Sequence, residues 1–318
     1  MQALTRQQIA QHPLFPAIEK QIAEHLIEIH TQTPRLSRLK ASHRKWLMSQ
    51  SMFALALRRK DDDPLSGLTA TRFIEMVITL DCASRNTATA FLAELTAYKF
   101  LRDVPDVPDK RVRVLEPTEI SYAAMFNWFR GHMICLDRLD GGSREATIIS
   151  RPHIFRVAQP IGADILMADP VWKNPVDSIG HFLSSDLGGM VLHDIFSRLD
   201  PNFDRTSERV YVGSASLSEI SEIYQISQTN LKRMFKKAET EELLGWDHAR
   251  RRGPLWLSKT FIDDYFNWQS AKFAGLDRAF HMALDEIGSD AMTVDHDDEV
   301  LPVWSGKLDA VQTFRVSQ

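Results

Sequence analysis

Phe126-Asn127-Trp128 and, eight positions further on, Leu136-Asp137-Arg138 recur later in the chain as Phe266-Asn267-Trp268 and Leu276-Asp277-Arg278, with the same spacing between them. Each pair of tripeptides belongs to a segment whose apolar residues repeat at the spacing of one helix face. The sequence therefore predicts two long helices that occupy equivalent places in an internal repeat.

The residues that precede each long helix also align, with Ser84 matched to Ser227 and Leu101 matched to Leu244. Residues 68–101 and 217–244 each divide into a short helix, a tight turn and a longer helix that starts after a good N-cap residue, Ser84 or Ser227. A stretch with hairpin character follows each longer helix, with its prolines and glycines in the turn and its flanks. The predicted order is therefore helix, helix, two-stranded ribbon and long helix, present twice.

This order is that of a winged helix-turn-helix, and both halves resemble the DNA-binding lobe of the MarR family of bacterial transcription regulators. The most specific match is the first ribbon, Asp109 to Thr118, where an Asp and an Arg two residues later precede a strand that ends in a Thr. The second ribbon departs from the family pattern, because its tip is Arg250-Arg251-Arg252 after Asp247 and Ser258 stands near the Thr position.

The resemblance covers roughly residues 41–139 and 175–283. Family members are normally homodimers of chains about half this length, so two lobes in one chain imply a monomer that acts as a fused pseudodimer. We expect a mainly α protein with small β-wings (α+β), in which tandem winged helix-turn-helix lobes pack on a shared helical core.

The predicted domains follow from the repeat. They are a first lobe at 1–140, a connecting segment at 141–175, a second lobe at 176–284 and an acidic C-terminal tail at 285–318. Further helices are expected at 15–30, packed with the long helices at 118–139 and 259–283, and at about 176–199, equivalent to 41–58.

Charge is distributed unevenly along this 318-residue chain. The formal net charge is −4, yet residues 285–318 hold eight acids and two bases, so the remaining residues are mildly basic. Between residues 227 and 259 there are eight bases and four acids. Charged runs are usually solvated surface, but these bases fall on the longer helix and the ribbon, the two elements that a winged helix turns toward DNA.

The predicted DNA contacts lie at the start of each longer helix and on each ribbon. Short polar side chains suit phosphate and base-edge contacts, and arginine suits guanine or a narrow minor groove, although an ordinary capped surface helix would carry several of the same residues. In the first lobe they are Ser84, Arg85, Asn86, Thr87, Thr89, Lys110, Arg111 and Arg113. In the second lobe they are Ser227, Gln228, Thr229, Asn230, Lys232, Arg233, Lys236, Arg250, Arg251 and Arg252.

Signals of enzymatic chemistry are poor. The sequence has no HExxH, GxSxG, Walker or GxGxxG motif, so we expect a protein that is not an enzyme and that uses no cofactor. His132 and Cys135 stand three residues apart on a helix, but two ligands make no zinc site. The MarR resemblance implies a small-molecule effector near Trp46, Trp128 and Trp268, although aromatic residues at helical spacing are also typical of a plain core.

The sequence also bears on the cellular compartment. Two cysteines, Cys82 and Cys135, form no CxxC pair and fit a reducing compartment. No apolar segment follows basic residues at the N-terminus, and no stretch approaches the run of about 18 apolar residues that spans a membrane. We expect a soluble cytoplasmic protein associated with the nucleoid.

The leading hypothesis is a bacterial sequence-specific DNA-binding transcription regulator whose two lobes read adjacent major-groove half-sites with their wings in the minor groove. One alternative is a plasmid-type replication initiator, which also uses two winged helices in one chain but is usually strongly basic. A second alternative is an acidic tandem winged-helix scaffold that binds protein in chromosome condensation.

Overall fold

The structure, a computed structural model, describes residues 2–32, 42–248 and 250–290, and most of these residues are helical. The helices are α1 (Arg6–Gln11), α2 (Phe15–Gln32), α3 (His43–Leu57), α4 (Ala70–Thr79), α5 (Arg85–Ala97), α6 (Glu119–Asp140), α7 (Arg144–Ser150), α8 (His153–Ala168), α9 (Pro170–Lys173), α10 (Asp177–Leu183), α11 (Gly188–Ser197), α12 (Leu217–Tyr224), α13 (Gln228–Thr240) and α14 (Lys259–Asp290). The strands are β1 (Leu68–Thr69), β2 (Leu101–Asp103), β3 (Val114–Pro117), β4 (Arg209–Gly213), β5 (Leu244–His248) and β6 (Arg252–Ser258).

The chain is therefore mainly helical with small β elements, as predicted. Of the predicted acidic tail, residues 285–290 form the end of α14, and residues 291–318 lie outside the described residues. No helix in the described ranges combines the length with the apolar content of a bilayer span.

Two small antiparallel sheets follow the same plan in the two parts of the chain. In the first sheet β3 lies between β1 and β2, and in the second β6 lies between β4 and β5. The predicted ribbons are the pairs β2–β3, with Leu101 opposite Pro117, and β5–β6, with Leu244 opposite Leu257. The sequence pattern predicts two strands in each sheet, and the residues just before the short helix α4 or α12 add the third.

The longer helices α5 and α13 each span 13 residues and begin where the sequence predicts. Ser84 Oγ accepts a hydrogen bond from the Thr87 N–H at 3.3 Å, and Ser227 Oγ accepts one from the Asn230 N–H at 3.2 Å. An N-cap of this kind stabilises a helix by about 1 kcal/mol. The equivalence of Ser84 and Ser227 therefore holds in the structure as well as in the sequence.

The N-terminal helices pack on both halves. Helix α2 of the first half (residues 2–140) packs on α6 of the same half and on α11 of the second half (residues 141–290), and α8 of the second half packs on α14 of the same half and on α3 of the first. In the same reciprocal way, α1 packs on α14 and α7 packs on α6. Each half therefore completes the helical core of the other.

Residues 141–175, which the sequence predicts to be a connecting segment, contain α7, α8 and α9. Helices α7 and α8 repeat α1 and α2, with Ile148 in the place of Ile9 and Pro152 in the place of Pro13. Both isoleucines are buried. Of the four prolines that indicate a linker, Pro152 and Pro170 stand at helix starts, where the missing N–H would have no partner within the helix, and Pro160 lies inside α8.

The helix predicted at about 176–199 is two helices, α10 and α11. The chain turns back between them so closely that a Cβ on Gly188 would lie 1.8 Å from the Phe182 carbonyl oxygen. Glycine is thus required at this bend, and the preceding residue Leu187 takes a φ of +62°.

A buried ion cluster joins the end of α6 and the middle of α14 to the starts of both halves. The Arg144 guanidinium donates to Asp137 at 3.1 Å, to Asp140 at 2.7 Å and to Asp277 at 2.7 Å, and its side chain is 2% exposed. Asp137 also accepts the Arg144 N–H at the start of α7, and Asp277 accepts the Leu4 N–H just before α1. Asp137 and Asp277 are equivalent in the repeat, so each holds the first helix of the other half.

We expect Arg144→Met to destabilise the protein by about 3–5 kcal/mol, because the fully buried Asp277 carboxyl would lose its arginine partner. Urea unfolding measures the loss. Arg102→Met is the control: Arg102 pairs with Glu116 and Glu119 on the surface, so its removal changes stability by about 0–1 kcal/mol. Equal losses in the two variants would contradict the assigned role of the cluster.

The same cluster predicts sensitivity to acid. The hydrogen bond from Arg144 holds the pKa of Asp140 below its usual value. Such a carboxyl contributes stability above its unfolded pKa of about 4 and loses it as the pH falls through the folded pKa. Between about pH 5 and about pH 3 we expect wild type to lose more unfolding free energy than Arg144→Met loses, in urea titrations at each pH.

Candidate nucleic-acid interface

The second helix-and-sheet unit, made of α12, α13 and β4–β6, exposes most of its predicted DNA contacts. The exposed residues are Ser227, Gln228, Thr229, Lys232, Arg233, Lys236, Arg250 and Arg252. Asn230 and Arg251 are half-buried. We call the five exposed bases, Lys232, Arg233, Lys236, Arg250 and Arg252, the basic face.

Arg251 joins the ribbon to α13. Its guanidinium donates to both Glu239 carboxylate oxygens, at 3.0 and 2.9 Å, and to the Lys232 carbonyl oxygen at 3.3 Å. It also lies 5.5 Å from the centre of the Trp246 ring. The basic residues of the ribbon tip are thereby held beside those of the helix.

The three tip arginines, grouped together by sequence, therefore differ in the structure. Arg251 has partners within the protein, whereas the side chains of Arg250 and Arg252 have no hydrogen bond or ion pair with any described residue. Arg250 and Arg252 remain available to an external anion, and Arg251 acts by positioning the ribbon.

The ribbon tip is strained. Arg250 and Arg251 have φ values of +60° and +58°. This left-handed conformation costs a residue with a side chain roughly 1–2 kcal/mol. In tight hairpin turns it is usually adopted by Asn or Gly. Strain of this kind concentrates at functional sites. Two arginines at such positions favour a role for the tip in binding.

The first helix-and-sheet unit is made of α4, α5 and β1–β3. In its ribbon, two arginines form ion pairs with aspartates. Arg111 pairs with Asp109 at 2.9 Å, and Arg113 donates to Asp103 at 3.0 Å. Hydrogen bonds from these arginines lower the pKa of both carboxyls, which keeps them ionised beside their partners. Of the three predicted contacts on this ribbon, Lys110 is exposed and has no acidic partner among the described residues.

At the start of α5, several predicted contacts are engaged in local hydrogen bonds. Ser84 caps the helix and bonds the Thr87 hydroxyl at 3.0 Å, and the Thr89 hydroxyl donates to the Arg85 carbonyl oxygen at 2.9 Å. The side chains of Arg85 and Asn86 are exposed and make no hydrogen bond with the described part of the chain. These two are the strongest candidates for base contacts in the first unit.

A cavity of about 130 Å³ lies in the shared helical core, at the place where the resemblance implies an effector pocket. We call it the central cavity. Trp46, Trp128 and Trp268 line it as expected, and Trp172 and Lys272 line it as well. Trp128 and Trp268 are equivalent in the repeat, so both halves contribute the same residue to one cavity.

In the described ranges, no group of three or more His, Cys, Asp and Glu side chains is placed to hold a metal ion. No protein-family profile, curated protein or solved structure matches the chain.

The different environments of the tip arginines predict different effects on stability. We expect Arg251→Ala to lower the free energy of unfolding by about 1–2 kcal/mol, because it removes a half-buried two-oxygen ion pair and a cation–π contact. Arg250→Ala is expected to change it by less than about 0.5 kcal/mol. Urea unfolding of the two variants checks this, and an equal loss in both would contradict the partners assigned to Arg251.

Proposed function

We propose that the protein is a bacterial sequence-specific DNA-binding transcription regulator, a tandem of two MarR-like winged helix-turn-helix units in one chain. In this proposal the chain is a monomer that acts as a pseudodimer on the nucleoid. Its longer helices α5 and α13 enter adjacent major grooves, and its ribbons approach the neighbouring minor grooves.

The basic face carries the proposal. Five exposed bases from α13 and its ribbon lie together on a chain whose net charge is negative, and Arg251 fixes the ribbon against the helix. A cluster of positive charge favours binding to a polyanion, whereas a surface of mixed charge is enough to keep a protein soluble.

The order of elements in each unit supports the same proposal. A short helix, a longer helix capped by Ser84 or Ser227 and an antiparallel ribbon follow one another, and the longer helix exposes short polar side chains at its start. Residues at the start of such a helix are those that reach base edges in a major groove.

The two units have different parts in this proposal. The second unit supplies backbone affinity, because lysine and arginine contacts to phosphate are independent of sequence. The first unit, with its compensated ribbon and the unengaged Arg85 and Asn86, contributes sequence discrimination.

Electrophoretic mobility shift on the DNA upstream of the protein's own gene tests binding, with fluorescence anisotropy across a salt series. We expect Lys232→Gln with Lys236→Gln to weaken binding to all sequences and to reduce the salt slope by about 1 for each lost phosphate contact. Arg278→Gln, an equal charge change per residue at an exposed position on α14, is the control.

An unchanged salt slope in the double variant, or the absence of salt-sensitive binding at micromolar protein, would overturn the proposal.

Sequence selection from a randomised DNA pool tests the first unit. We expect Arg85→Ala and Asn86→Ala to relax the preference at individual base pairs by about 1–3 kcal/mol, with little change in binding to non-specific DNA. Thr89→Ala is the control, because its hydroxyl is engaged within α5. Unaltered preferences in both variants would contradict the reading role of α5.

A further inference from the structure

The walls of the central cavity are flat and aromatic. The rings of Trp172 and Trp268 stack with their centres 4.7 Å apart, and Trp46 meets Trp172 edge-to-face at 5.0 Å and Trp128 edge-to-face at 5.6 Å. An apolar cavity of about 150 Å³ holds a benzene molecule in another protein, so a volume of about 130 Å³ is of the size of one small ring.

Lys272 lines this cavity without a counter-ion at its amino group. The residue is 2% exposed, and Nζ lies 5.7 Å from the centre of the Trp172 ring and 5.4 Å from that of Phe273. In the described part of the chain, Nζ makes no hydrogen bond and no ion pair. Burial lowers the pKa of Lys272 to about 8, with the more distant Glu19 carboxyl acting in the opposite direction.

A chain of hydrogen bonds leads away from the same cavity. His193 lines the cavity, and its Nδ1 lies 2.9 Å from the Tyr265 hydroxyl, which is 2.9 Å from Glu19 Oε1. Burial raises the pKa of Glu19 to about 7, so this carboxyl is placed to give or take a proton near neutral pH. His193 Nε2 has no hydrogen-bond partner in the described ranges.

Several of these polar groups have a different residue at the equivalent position of the repeat. At equivalent positions, Lys272 replaces His132, Gln269 replaces Phe129, and Tyr265 replaces Met125. The amide of Gln269 is fully buried, and neither its nitrogen nor its oxygen has a partner within the described residues.

Glu19 follows the same pattern, because Ala158 stands at its equivalent position in the second half. Buried polar groups without partners are costly, and natural proteins retain them mainly where they serve a function.

We propose that Lys272 captures carbonyl compounds: Nζ forms an imine with a small aldehyde or ketone whose flat ring lies between the tryptophans of the central cavity. The proposal concerns a site separate from the basic face and does not depend on DNA binding.

The chemistry balances without an oxidant or a cofactor. The lone pair of neutral Nζ adds to the carbonyl carbon, after which the nitrogen loses one of its two protons and the carbonyl oxygen takes one to give a neutral carbinolamine. The nitrogen then loses its remaining proton as the hydroxyl leaves with another, so that amine and carbonyl become imine and one water. The Glu19–Tyr265–His193 chain is placed to supply and recover the protons.

The apolar walls favour a neutral carbonyl compound over an anion. The desolvation that penalises the Lys272 ammonium also penalises a carboxylate brought into the same cavity. A neutral ring compound loses little hydration on entry and gains contact with the tryptophan rings of the cavity.

Reductive trapping tests the proposal on the full chain. The protein is incubated at about pH 8 with benzaldehyde and cyanoborohydride, and labelled lysines are identified by peptide mass mapping. We expect Lys272 to label at least about tenfold faster than the exposed Lys110 in the same digest, because burial lowers the pKa of Lys272 to about 8 and the cavity holds the ring beside its amine. This comparison within one wild-type sample is independent of any variant's folding.

Variants assign the reaction to the cavity. We expect Lys272→Met to lose the fast adduct and to keep slow labelling of exposed lysines, while Trp172→Leu, which removes one wall, slows the reaction at Lys272. His193→Phe is expected to slow the labelling of Lys272 and to leave that of Lys110 unchanged.

Equal labelling of Lys272 and Lys110 would overturn the proposal. The proposal would also be overturned if benzoate reversibly quenched tryptophan fluorescence at concentrations at which benzaldehyde gives no adduct. Labelling of His193→Phe at the wild-type rate would overturn the proton-transfer role of the Glu19–Tyr265–His193 chain.

Discussion

Arg144 and its three aspartates lie where four segments meet: the end of α6, the middle of α14 and the starts of both halves. Asp137 and Asp277 each accept a backbone N–H from the first residues of the other half, and the N-terminal helices pack on both halves. Once α2 packs on α11 and α8 on α3, the core is shared, and neither half buries its apolar surface alone. The positions of both helix-and-sheet units follow from this core.

A shared core also lets the two units differ at their surfaces without loss of fold. The residues that cap α5 and α13 are the same, while the ribbons diverge from compensated ion pairs in the first unit to exposed arginines at a strained tip in the second. Surface charge contributes little to stability, so it is free to change. The buried core and the caps keep the common plan.

Local signals made α5, α13 and the ribbons predictable, because caps, helical spacing and turn residues act within a few residues. The prolines of residues 141–175 misled because their effect depends on whether they begin a helix or interrupt one. The partners of Arg251 depend on how the ribbon folds onto α13. The central cavity is formed by helices from both halves. Neither feature can therefore be predicted from a pattern of neighbouring residues. One feature of the cavity can be seen in the sequence: Lys272 stands at the position of the repeat that is equivalent to His132.

That replacement has a consequence for how such a centre arises. In a symmetric dimer every residue near the two-fold axis is present twice, so a lysine there brings an identical ammonium close to itself, with no water to screen the repulsion. Joining the copies in one chain removes this constraint, since each copy then mutates alone. A solitary amine among four tryptophans is an arrangement that gene fusion permits and that symmetry forbids.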